Sequence, residues 1–253
     1  MTWLRSALSR PTETLRRQVQ RTHLARPAAR YAEHGWEVLP GAFLSGPRFD
    51  CGRPGCPTTG CHPAVEDWEA SVAHDAAGVA ARWRRGPYAV LLATGRAFDV
   101  LEVPERFGQS VIDRLPAAAI GGPIAVAPEG RWMFLLRPGH ALAAELTERP
   151  DIVLHGRGSW VPAPPTQQPN GRVRWQLHPR RFGYRVADPL LVQSLVIAAL
   201  PRRRPRPAIG SAASPALPPV TPPAALDAPV RRGNIPDRFD RRRRRRAANA
   251  HHS

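Results

Sequence analysis

The arginines divide this chain before any motif is read. All 37 Lys+Arg residues are arginine, against 20 acids, for a formal net charge of +17. Residues 1–30 hold seven Arg and the single acid Glu13, residues 201–253 hold thirteen Arg and three Asp, and residues 31–200 hold seventeen Arg against sixteen acids. The three parts therefore carry +6, +10 and +1, and only the centre has the balanced surface of an ordinary folded domain. The last 53 residues also contain ten of the 30 prolines, a Pro/Ala stretch and the run Arg241, Arg242, Arg243, Arg244, Arg245 and Arg246. Such a segment cannot bury enough apolar surface to offset its ordering entropy. The expected organisation is a basic N-terminal arm (1–25), one domain (26–200) carrying a Cys-rich insertion (41–64), and a disordered basic tail (201–253). The arms are expected to contact DNA or RNA through their arginines.

The opening MTWLRSALSRPTETLRRQVQRTH has no apolar core of the kind a secretory leader needs. The longest late apolar stretch, 189-PLLVQSLVIAAL-200, is too short and interrupted to span a bilayer. A cytoplasmic protein with no membrane contact is the expectation.

Within the domain, 24-LARPAARYAEHGWEVLP-40 reads as a helix stopped at Gly35 and followed by a strand. Asp75 caps a helix running to about Arg85, and 88-YAVLLATG-95 and 98-FDVLEV-103 read as strands. Pro104 opens a helix to about Leu115. A turn at Glu129-Gly130 joins 123-PIAVA-127 to 131-RWMFLL-136, a helix follows near 140–148, and short strands fall at 152–154, 159–162 and 172–177. The closing helix, 188–200, is expected to cover a sheet face through Leu190, Leu191, Leu195 and Val196. This alternation is an α+β domain around a mixed or antiparallel central sheet.

The segment 50-DCGRPGCPTTGCHP-63 concentrates Cys51, Cys56, Cys61 and His62 in a stretch with little apolar material. Four thiol and imidazole groups suit tetrahedral zinc, and closing short loops on one ion orders a segment that has no core. Adjacent Cys61 and His62 reach the same ion only through an unusual turn, so three ligands plus an outside group is a second arrangement. Metal-free packing of small residues is a third.

Five phrases in order carry a family resemblance: 29-ARYAEHGWEVLP-40, 51-CGRPGCPTTGCHP-63, the helix around Trp83, 86-GPYAVLLATG-95 and 151-DIVLHGRGSWVPAPPT-166. From about Arg26 to Trp175 the chain resembles the N-terminal domain of the bifunctional DNA primase/polymerase family, related to archaeal-eukaryotic primases. The resemblance implies a primase-polymerase-like fold, nucleic-acid or nucleotide binding, and a replication-related protein partner. It also implies Asp-x-Asp or Asp-x-Glu on the strand after the Thr-Gly turn, because carboxylates two apart point the same way and hold Mg²⁺ or Mn²⁺ at the nucleotide phosphates. Here 98-FDVLEVPE-105 offers Glu102 at the first acidic position and Pro104 at the second, with Asp99 three residues away and on the other face. Where the family places a histidine on the later strand, this chain has Trp132.

Three readings of function follow. The first is a degenerate primase-polymerase-like domain with little or no polymerase activity. The second is a DNA-directed primase/polymerase with a rearranged metal site, in which Glu102 and a second carboxylate, either Glu105 brought in by a bulge or the strand end at Pro104 or a distant acid, hold Mg²⁺ or Mn²⁺. The third is an accessory interaction domain with a polyanion-binding tail. Arg131, Arg157, Arg172 and Arg174 on or between the late strands are candidate phosphate contacts or solvated side chains. Trp160 and Trp175 are either base-stacking platforms or core residues.

Overall fold

The computed structural model describes residues 13–201, with side chains from Gln18 onward. The expectations for the tail and for Arg241 to Arg246 lie outside the described residues. The first helix, α1 (Glu13–Glu33), starts well before the expected Leu24. Its apolar face does begin there, with Leu24, Ala28, Tyr31 and Ala32 buried at i, i+4, i+7 and i+8. The Arg and Gln residues ahead of that face are good helix formers and extend the helix by propensity.

After Gly35 the chain enters β1 (Val38–Gly41), then a small hairpin, β2 (Phe43–Ser45) and β3 (Arg48–Asp50), where no regular structure was expected. Asp75 caps α2 (Ala76–Trp83) by accepting from Gly78 N at 2.6 Å. Then come β4 (Ala89–Ala93) and β5 (Asp99–Pro104). Pro104 ends that strand and directly opens α3 (Glu105–Arg114), which α4 (Ala117–Ile120) follows. The Glu129-Gly130 turn joins β6 (Ile124–Ala127) to β7 (Arg131–Leu136) as an antiparallel hairpin. The helix expected near 140–148 contracts to α5 (Ala144–Thr147). The chain continues through β8 (Val153–His155), β9 (Trp160–Pro162), β10 (Gln167–Gln168), β11 (Gly171–Arg172) and β12 (Arg174–Leu177) to α6 (Pro189–Ala199), capped by Asp188.

A three-stranded sheet has the order β1-β4-β9, and a five-stranded sheet the order β12-β6-β7-β5-β8. Every pairing within them is antiparallel. One face of the five-stranded sheet presents Val100, Ala125, Met133 and Leu135 to a core shared with α1 and with Val38, Val90 and Val161 of the other sheet. The other face presents Leu101, Val103, Ile124 and Phe134 to a core shared with α3 and α6. α6 uses part of the face expected of it, with Val196 buried and Leu195 packed on the core. Val192, Gln193 and Val196 are buried, while Leu190 is 65% exposed. The helix is apolar around most of its circumference, so periodicity could not select a side. Inward-facing Gln193 is satisfied by Ala143 N at 2.6 Å and Ala141 O at 3.2 Å. Among the described residues no helix is long and apolar enough to cross a membrane.

Candidate functional site

The strand register explains what surrounds Glu102. Directly opposite it stand Met133 on β7 and Val153 on β8, both apolar. Its diagonal neighbours on the same face are Arg131, paired with Pro104, and His155, paired with Val100. Both turn toward the carboxylate: Arg131 Nε donates to Glu102 Oε1 at 2.6 Å, and His155 Nε2 lies 2.8 Å from Oε2. Burial works to raise the Glu102 pKa, but hydrogen bonds from His155 and Arg131 outweigh it and hold the carboxyl below its ordinary value. An ionised carboxylate only accepts, so His155 Nε2 carries the proton, while its Nδ1 lies 3.0 Å from Ser159 Oγ.

Positive charge continues outward from this group. Arg131 also donates to the Asp151 carbonyl at 2.8 Å, and the Asp151 carboxylate is bound by Arg149 and Arg106. The hydrogen bond from Arg149 comes first among the effects that hold Asp151 below the usual carboxylate range. Asp99 lies on the opposite face of the sheet, as its spacing predicts, and its Oδ2 accepts from Gly139 N at 2.8 Å. Glu105 opens α3 beside the β6–β7 turn, with Oε2 near Gly130. Trp132, at the position where the family places a histidine, has its indole buried on the face opposite Glu102, against Gly108, where any added Cβ would collide with the ring. It is a core residue and takes no place in the Glu102 cleft.

The Thr-Gly turn and the later Gly-rich turn meet in space. Thr94 Oγ1 donates to Gly156 O at 2.5 Å, and Thr94 N donates to Ser159 O at 3.0 Å. Gly95, at φ +98°, leaves no room for a Cβ against the Arg157 backbone. This clamp fixes the approach of β8 to β5 and hence of His155 to Glu102. The Pro-Pro-Thr corner anchors the other sheet, where the fully buried Thr166 Oγ1 bonds both N and O of Val90 at 2.9 Å.

The four candidate arginines do not form one patch. Arg131 is in the cleft and committed to Glu102. Arg157 is exposed on the β8–β9 turn. Arg172, on β11, donates to Gln167 Oε1 at 2.9 Å, and Arg174, on the edge strand β12, donates to Gln176 Oε1 at 3.1 Å. β12 is the opposite edge of the five-stranded sheet from β8, and β11 belongs to a separate two-stranded sheet. Trp175 packs on Tyr31 and donates to its hydroxyl at 3.0 Å, and Trp160 packs against Leu39, Leu91 and Ala93. His155, absent from the sequence-based candidates, is the residue that reasoning missed. Its partner depends on the β5–β8 register, for which the only sequence signal was its place two residues before the Arg157-Gly158 turn.

The Cys-rich loop brings together Cys51, Cys56 and His62, whose ligand atoms all lie within 4.8 Å of one another. Among the described residues this is the one group of three or more His, Cys, Asp or Glu side chains placed to share an ion. His62 Nε2 lies 3.4 Å from Cys56 Sγ, and its Nδ1 lies 2.8 Å from Gly60 O, an outer contact that orients the ring. Burial raises the Cys51 thiol, but hydrogen bonds from Arg53, His62 and Cys56 outweigh it and bring the pKa down to about 6. Cys61 departs from the expected ligand set. It packs with Trp68, Val72 and Trp160 against Leu39 and Leu91, and burial there, with Glu129 nearby, pushes its thiol up to about 12. Successive residues of an extended chain point to opposite sides, and the structure turns His62 to the thiols and Cys61 to the core.

No curated protein and no solved structure matches this chain. Residues 28–202 do match a sequence family, bifunctional DNA primase/polymerase, N-terminal, and they contain the three- and five-stranded sheets, Glu102 with its partners and the Cys/His loop. The chain belongs to that family.

Proposed function

We propose that this chain is a degenerate primase-polymerase domain that binds nucleic acid or nucleotide and carries out little or no templated nucleotidyl transfer. One observation carries the reading: both oxygens of Glu102, the acid on the expected strand, are taken by Arg131 and His155. Two-metal phosphoryl transfer needs carboxylates converging on a pair of cations beside the triphosphate. Here the second acidic position is Pro104, the cross-strand neighbours are Met133 and Val153, and Asp151, whose carbonyl Arg131 also binds, has its carboxylate held by Arg106 and Arg149. A divalent ion at Glu102 would have to displace a guanidinium already in place.

Two thiols and an imidazole are a donor set suited to zinc, and their approach within 4.8 Å fits one ion with an outside group as fourth ligand. The zinc assigned here is structural, holding the 50–64 loop beside β1 and β4.

Nucleic-acid binding is tested by fluorescence anisotropy over a salt series. The full chain should bind single-stranded DNA at low salt with little sequence preference. Removing residues 201–253 should take away most of that affinity and, counting the six consecutive arginines alone, flatten the slope of log K against log salt by about 4. Unchanged affinity and slope would assign the binding to the folded domain instead.

A further inference from the structure

The arginines around Glu102 are paired with carboxylates, whereas three of the arginines that lack a carboxylate partner gather at one cavity. Arg26 and Arg30 stand one turn apart on α1, and Arg180 faces them from the 3-10 turn Pro179–Phe182. No side-chain hydrogen bond or ion pair engages any of the three among the described residues. They line one cavity of about 520 Å³ with His178, Tyr31 and Tyr184, and Glu33 is the one acid in its wall. Burial, followed by the nearby charges of Arg180 and Arg30, lowers the His178 pKa.

Tyr184 gives independent support. Its backbone is left-handed at φ 62°, its ring stacks on His34 with centroids 3.4 Å apart, and its hydroxyl is buried without a hydrogen-bond partner. A tyrosine held in a disfavoured backbone region with an unsatisfied hydroxyl is a cost that points to a site.

A second hollow of about 580 Å³ shares Arg26 and Pro27 with the first and runs back along α1 past His23. Arg172 Nη1 lies 3.5 Å from His23 Nε2 at that end. The two hollows thus form a basic track along α1, from Arg172 through Arg26 to Arg30 and Arg180. His178 directly follows β12, so the track lies at the opposite edge of the five-stranded sheet from β8 and His155.

We propose that this α1 track is a nucleic-acid interface of the folded domain, in which Arg26, Arg30 and Arg180 hold successive phosphodiesters of one strand. The proposal rests on the nucleic-acid-binding reading above and gives it a surface separate from the Glu102 cleft. The shared chemistry is the phosphate ester, and a row of charges about 6 Å apart along a helix suits a repeating backbone better than one nucleotide.

The test uses the full chain and a fluorescein-labelled oligodeoxythymidine. Changing Arg26, Arg30 and Arg180 together to Ala should weaken binding about tenfold at low salt and make the salt slope shallower by about 2, as expected for three lost phosphate contacts. The same three positions changed to Lys should keep most of the slope. Changing Arg48, Arg85 and Arg114 to Ala removes the same charge elsewhere and should cost distinctly less. Equal effects of the two alanine triples would overturn the track while leaving the binding reading intact. Failure of the unaltered chain to bind at low salt would sink that reading and the track with it. If a labelled nucleoside triphosphate binds with the same arginine dependence and the strand does not, the site belongs to free nucleotide and the strand proposal fails.

Discussion

Purified in reducing, chelator-free buffer, the chain is expected to carry about one zinc ion, the number that one closed structural site takes. Cys51→Ser and Cys56→Ser should each bring the metal content near background, and Cys61→Ser should leave it almost unchanged. The contrast follows from the packing: Cys51 and Cys56 converge with His62, whereas Cys61 is lodged among Trp68, Val72 and Trp160. Cys61→Ser should instead lower stability by placing a hydroxyl in an apolar cluster. Chelation should speed amide hydrogen exchange across residues 50–64, where the metal takes the place of a core. Elemental analysis that finds no zinc in the unaltered protein, or finds it lost equally in all three variants, would contradict this assignment.

Removing the Glu102 carboxylate should destabilise the protein, the reverse of what clustered metal-binding acids produce. In a working two-metal site without its ions, the carboxylates repel one another, and deleting one relieves the repulsion. Here Glu102→Ala would strand Arg131 and His155, each less than a third exposed. The expected loss is about 2 kcal/mol, below the range for fully buried pairs because these side chains are partly solvated, and it should lower Tm by about 4–8 °C. Glu102→Gln, which still accepts one bond, should lose less. The pH dependence has a definite sign. Glu102 binds its proton more weakly in the folded than in the unfolded chain, so its contribution is complete above the unfolded pKa of about 4.3 and is lost as pH falls through the lower folded value. The stability difference between the unaltered chain and Glu102→Ala should shrink as pH falls below the unfolded carboxyl value of about 4.3. Chemical denaturation over that range reads it, and an alanine variant as stable as the unaltered protein would show that the three side chains do not act together.

Local chemistry made part of this visible in the sequence. Asp75 specifies its cap, Pro104 both ends a strand and begins a helix, and Glu129-Gly130 makes a hairpin, because each effect needs only neighbouring residues. The opposite facing of Asp99 and Glu102 follows from their odd spacing. The partner of Glu102 could not be read in the same way. His155 reaches it because of the register between β5 and β8, which the Thr94 and Gly156 contact fixes across 62 residues. Trp132 stands at the motif position of a histidine, and strand parity turns it to the core on the face away from Glu102. The α1 track was hidden for a similar reason. Arg26 and Arg30 belong to a helix whose apolar face was legible, while Arg180 and Tyr184 arrive from about 150 residues later through the turn after β12.

The most direct measurement is templated nucleotide incorporation by the full chain on a primed and an unprimed DNA template, with Mg²⁺ and separately with Mn²⁺, beside Glu102→Ala. Arg131 and His155 occupy the carboxylate that would hold the ions, and Pro104 stands where the second acid belongs. The account predicts incorporation by the unaltered chain no greater than by Glu102→Ala with either metal. Robust template-dependent incorporation that disappears in Glu102→Ala would contradict it and place a working, rearranged metal site at Glu102.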